Sequence, residues 1–155
     1  MVILYITAIL LLSFTDSAST WYLIKFGLGE EINPFVDTSS FGSILVSPPS
    51  LILLPLYIGF VIFCEQSYAR TSRLIKNRFL LFLFCLPYYY LVTLTFVTVN
   101  NILIAFRFRG PVTWLIEFFD MGDWFGLYAA MTLIAFIVLP ITEIFIKKRY
   151  SPIPG

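Results

Sequence analysis

The sequence predicts an all-α membrane protein with four transmembrane helices, and three observations carry that prediction. Of 155 residues, 59% are hydrophobic and only 12% are charged, against about 25% charged in an ordinary soluble domain. The mean hydropathy is +0.91, so a water-facing surface would be short of polar cover. The apolar residues also gather into runs near the roughly 20 residues that a spanning helix needs. No linker, low-complexity tail or internal repeat divides the chain, so residues 1–155 read as a single transmembrane domain.

The first span is predicted over residues 2–28 and carries a polar patch, SFTDSAST, in its middle. A stretch rich in turn formers and acids follows, GEEINPFVDTSSFGSILVSPP. The second span is read over residues 49–67: Pro49 suits a first helical position and Pro55 a kink. The third covers residues 79–106, and the fourth residues 124–146, with Pro140 near its end.

Lysine and arginine placement orients the bundle. Arg70, Arg73, Lys76 and Arg78 lie between the second and third spans, and Lys147, Lys148 and Arg149 follow the fourth. Both regions are expected in the cytoplasm, and an even number of spans then puts the N-terminus there too. The alternative for residues 1–19, a cleaved signal peptide, lacks a basic n-region.

Residues 111–126, PVTWLIEFFDMGDWFG, stand apart. Leu115, Phe118 and Phe119 share one helical face, and Glu117 and Asp120 another. Trp114 and Trp124 suit a headgroup belt. Two readings stay open: a short interfacial helix on the outer surface, or an outward extension of the fourth span. Arg107 and Arg109 read as snorkelling residues, or as partners for Asp16, Glu31 or Asp120. The tyrosines at 88–90 read as packing or lipid-facing rings.

On a helix, Ser13, Asp16, Ser17 and Thr20 fall at i, i+3, i+4 and i+7 and form one polar stripe. Asp16 lies roughly 20 Å from the inner end by helical rise, in the outer half of a bilayer. A carboxylate facing lipid there would cost several kcal/mol, so the stripe should face the bundle interior. The third span offers a matching zone at the same depth, Thr93 to Asn101. Within it Thr95, Thr98 and Asn101 recur every three residues. A polar pocket between the first and third spans is therefore expected. Asp16, Thr20, Glu31, Asn33, Thr98 and Asn101 are its candidate ligand or ion-binding residues. Ser13, Ser17 and Thr95 are candidates for a helix-packing seam. Hydroxyl stripes also serve as packing glue alone, and Asn33-Pro34 also reads as a plain turn.

Asp16, followed by Ser19 or Thr20, then Gly27 or Gly29, Glu31, Asn33 and Pro34, resembles a signature of small prokaryotic multi-pass membrane proteins. That family is uncharacterised. It carries an Asp in the first span and a Gly-x-x-Glu-x-Asn-Pro turn just outside it. The resemblance covers residues 10–36, and the Gly-to-Glu spacing departs by one residue whichever glycine is taken. It implies that these residues act together, and no activity.

The chain has no histidine and two cysteines, Cys64 and Cys85, without metal spacing. That excludes histidine-based catalysis and haem ligation, and no cofactor, metal site or catalytic residue is predicted. A net charge of +1 gives no basis for binding nucleic acid. The expected partners are the lipid bilayer and either other membrane subunits or further copies of this chain. The expected role is that of a non-catalytic accessory or scaffolding subunit of a membrane complex, in the cell membrane. The alternative is a small carrier or channel that takes a cation or polar solute at the Asp/Glu/Thr pocket. A lipid-modifying membrane enzyme is the third reading.

Overall fold

A backbone in hydrocarbon must satisfy its own hydrogen bonds, and long apolar runs do so as helices. The structure, a computed structural model, describes residues 2–29, 36–119 and 123–151. Among these it contains helices and no strand: α1 (Val2–Lys25), α2 (Phe41–Leu45), α3 (Pro48–Gln66), α4 (Tyr68–Leu74), α5 (Arg78–Ala105), α6 (Pro111–Phe119) and α7 (Asp123–Tyr150). Four segments are long and apolar enough to cross a membrane: Val2–Lys25, Phe41–Gln66, Arg78–Ala105 and Ala129–Tyr150. Ile3, Leu4, Phe79, Phe136 and Ile144 are each more than half exposed, as lipid-facing residues would be.

The helix ends have local causes. α1 stops short of Leu28 because Gly27 turns left-handed, with φ 62°. The Leu28 N–H then reaches back to the Leu23 carbonyl at 2.8 Å, and the Gly27 N–H to that of Ile24 at 3.1 Å. This is a Schellman end, for which glycine is the natural residue. α5 ends the same way. The Phe108 N–H donates to Leu103 O and the Arg107 N–H to Ile104 O, both at 2.8 Å, but here the left-handed residue is Arg107, also at φ 62°. A side chain in that conformation carries strain. Arg107→Gly is therefore expected to raise stability by about 0.5–1 kcal/mol, read as a higher unfolding midpoint in detergent.

α2 and α4 occupy segments that apolar pattern alone leaves as connections. α2 forms because the Ser40 hydroxyl caps it, accepting from the Ser43 N–H at 3.0 Å. Just before it, Asp37 accepts from the Ser39 N–H at 2.9 Å and the Ser39 hydroxyl at 3.0 Å. Those bonds, the backbone one foremost, hold its carboxyl below the usual range. Asn77 opens α5, its Oδ1 accepting from the N–H groups of Phe79 and Leu80. α7 runs past Ile146 to Tyr150, because its three basic residues continue the helix and suit its C-terminal dipole.

α5 is the hub, touching α1, α3, α6 and α7. At one end Tyr5, Ile9 and Val61 are buried against Leu54, Ile58 and Tyr88. There the Tyr5 hydroxyl donates to the Pro87 carbonyl at 3.0 Å. Tyr5 thus pairs with the first half of α5 and Asp16 with its second half, so α1 and α5 run in the same direction. A second cluster joins Cys64, Ile75, Leu81, Phe84, Cys85, Ile146 and Tyr150. Both cysteines are buried and free. Within residues 111–126, Pro111–Phe119 form α6, which packs on α7 and on α5.

Candidate functional site

The polar stripe of α1 faces α5. Ser17 and Thr20 are buried, and Ser13 and Asp16 are half-buried. From α5, Asn101 reaches across with its amide nitrogen. Nδ2 donates to Asp16 Oδ1 at 3.2 Å and to Thr20 Oγ1 at 3.1 Å. Asp16 and Thr20 are one helical turn apart, so the two amide hydrogens of one side chain bridge consecutive turns of α1.

Beside this bridge lies a cavity of about 340 Å³. α1 supplies Ser13, Asp16, Ser17 and Thr20 to its wall; α5 supplies Tyr90, Thr93, Val97, Asn100 and Asn101. The start of α3 adds Ser47 and Ser50, whose hydroxyls are 3.1 Å apart. Leu23, Ile44, Leu53, Leu94, Val112 and Met131 give apolar surface. Asp16 carries the only formal charge among the described residues that line it. Among the described residues, no three His, Cys, Asp or Glu side chains cluster as metal ligands would.

The sequence-predicted residues divide. Asp16, Thr20 and Asn101 come together, with Ser13 and Ser17 beside them. Thr98 is buried, is not among the residues lining the cavity, and its hydroxyl has no hydrogen-bond partner among the described residues. Thr95 is exposed, its hydroxyl donating to Leu91 O of its own helix. The reason is helical pitch. A spacing of three falls short of a turn by about 60° each step, so Thr95 sits about 120° from Asn101. The cavity stripe instead follows steps of three and four: Tyr90, Thr93, Val97, Asn101. Glu31 and Asn33 lie outside the described residues.

Asn100, next to Asn101, turns to the opposite task. Its Oδ1 accepts from the Val112 N–H at 2.9 Å, capping the first turn of α6 from another helix. Arg109 pairs with Glu117 at 3.1 Å across the same corner, and both side chains are largely exposed. That exposure makes the pair worth little. Residues that sequence reasoning passed over include Tyr90, read as a packing or lipid-facing ring, and Ser47 and Ser50, which flank the prolines that open α3. The spacing back from Asn101 in steps of four, four and three, through Val97 and Thr93, is the signal available for Tyr90.

A family described as a domain of unknown function (DUF5658) matches residues 7–107, well over half of the chain. The chain belongs to the DUF5658 family. The DUF5658 segment runs from α1 to just past α5, so it holds Asp16, Thr20, Asn100 and Asn101 and includes residues 10–36. α6 and α7 lie beyond it. No curated protein and no solved structure matches the chain.

Proposed function

We propose that this DUF5658 protein is a multi-pass protein of a prokaryotic cell membrane that binds a small polar solute, as a small carrier or channel. Its site is the cavity at Asp16, Thr20 and Asn101. The carrying observation is that the polar seam is open. Hydroxyl and amide stripes that serve only as packing glue let helices close on one another. Here about 340 Å³ separates α1, α3 and α5 beside a carboxylate, within the range of small-ligand pockets. By the positive-inside rule, the basic residues at 70–78 and 147–149 put both termini in the cytoplasm and this cavity in the outer half of the bilayer.

A second reading, that of an accessory subunit in a membrane complex, has one observation in its favour. Phe136, Ile137, Ile141 and Ile144 of α7 form an exposed apolar face beyond the DUF5658 segment, which would accept a partner helix. Extraction in mild detergent through a C-terminal tag, followed by mass spectrometry, separates the two readings. Stoichiometric partners favour the subunit reading.

The solute reading predicts a thermal shift. Screened in detergent against small cationic, anionic and neutral polar solutes, the wild-type protein is expected to gain stability from at least one class. Asp16→Asn, which keeps the shape of the side chain and removes its charge, is expected to lose most of that gain. A wild-type midpoint unmoved by every class sinks the proposal.

A further inference from the structure

The cavity also carries information about which solute it takes. We infer that the ligand is a protonated primary amine with a short apolar body, an inference that rests on the solute-binding reading above. Four features of the lining select it.

The first is charge. Asp16 is the only formally charged residue among the described lining, and no Lys or Arg joins it there. A cation is attracted to that carboxylate. An anion would add to a charge already placed in a low-dielectric setting. The second is the hydrogen-bond inventory. An ammonium has three donors and no acceptor. The Asp16 carboxylate and the hydroxyls of Ser13, Ser17 and Thr20 are acceptors on one wall.

The third is size and polarity. A bare metal ion would leave most of about 340 Å³ to water, and metal cages draw on several carboxylates. Leu23, Leu53, Leu94 and Val97 instead offer aliphatic surface next to the polar wall, which fits an alkyl stem. The fourth is aromatic. Tyr90 lines the same space, and ammonium groups are attracted to aromatic side chains. A free alkylamine and the headgroup of an aminophospholipid share this chemistry.

The test uses the full-length protein in nanodiscs of phosphatidylcholine, with n-butylammonium as the probe. Calorimetric titration is run beside n-butanol, pentanoate and sodium ion. Butylammonium is expected to bind, and the alcohol, the carboxylate and sodium ion to bind at least about tenfold more weakly. Asp16→Asn should weaken butylammonium about 10- to 100-fold. Thr20→Val, which keeps the charge, should weaken it less and guards against a folding defect in the first variant. Repeating the titration in discs containing phosphatidylethanolamine assigns the source. An apparent affinity lowered by that lipid supports the amine chemistry with a lipid headgroup as donor, and an unchanged one supports it with a free amine. If pentanoate, butanol or sodium ion binds as well as butylammonium, the amine assignment falls while solute binding stands. If none of the four binds and no class in the thermal screen does either, both fall.

Discussion

Gly110→Ala is expected to cost about 2–4 kcal/mol, far more than a methyl group usually costs in a loop. Gly110 is buried at the corner between α5 and α6. A methyl there would overlap Asn100 Oδ1 and lie 2.6 Å from Asn100 Cγ. The Asn100 side chain occupies that place because it caps α6, accepting from the Val112 N–H at 2.9 Å. Helices are usually capped by the residue just before them, through a side chain bonded to the N–H of the second or third helical residue. Pro111 opens α6 and Gly110 precedes it, but Gly110 has no side chain to give. The cap is supplied from α5 instead, and glycine is what leaves room for it. Alanine forces Asn100 out of a buried hydrogen bond and overpacks the corner. Thermal unfolding in detergent should show the loss. In an Asn100→Ala background the same change should cost only about 1 kcal/mol, since the overlap with the side chain is gone and only the backbone oxygen of residue 100, 3.1 Å from the added methyl, stays close, and the cycle should therefore show strong coupling. Gly110→Ser in that background should recover part of the cap through its own hydroxyl. A Gly110→Ala protein that unfolds with the wild type would overturn this account of the corner.

That corner also shows where the sequence stops being legible. Its four spans can be read because length and hydropathy are properties of a run of residues, independent of its neighbours. The face that each helix turns inward is harder to read. A helix apolar all round has no amphipathic stripe, so only polar residues mark a face. On α1, Ser13, Asp16, Ser17 and Thr20 lie at steps of three and four and mark it clearly. On α5 the polar residues are scattered over several faces: Thr95 is exposed, Thr98 is buried off the cavity, and Asn100 and Asn101 diverge by about 100°. A pattern of threes therefore picks out Asn101 and misses Thr93 and Tyr90. The role of Asn100 depends on a chain reversal that brings Gly110 back beside it, and no spacing rule encodes that. Ser47 and Ser50 belong to the site only because α3 begins beside α1. Gly27 and Gly29 look alike in sequence, yet only Gly27 has a positive φ among the described glycines.

Tyr150→Ala is expected to cost about 3 kcal/mol while leaving the Asp16 end able to bind. Tyr150 is 2% exposed at the end of α7, among Cys64, Phe84 and Ile146. Its ring lies 5.4 Å from that of Tyr68. Its hydroxyl donates to Glu65 Oε1 at 2.9 Å, and the neighbouring Arg149 donates to Glu65 Oε2 at 2.9 Å. The Tyr68 hydroxyl lies 3.0 Å from the carbonyl oxygens of both Arg149 and Ser151. One aromatic side chain thus closes the last turn of α7 onto α3 and α4. Removing it leaves a cavity and deprives the Glu65 carboxylate of one of its two side-chain donors among the described residues. Tyr150→Phe keeps the ring and should cost about 1 kcal/mol, which separates packing from the hydrogen bond. The Asp16 cavity sits at the other end of α3, about 23 Å from Glu65 to Ser50 by helical rise. Changes this far apart with no shared partner usually add independently. Below its lowered midpoint, Tyr150→Ala should therefore bind a solute as the wild type does, and Asp16→Asn should lose binding with its midpoint little changed. A Tyr150→Ala protein that melts with the wild type would show that α7 is held elsewhere. One that stays folded and loses binding would show that the two ends are coupled through α3 and α5.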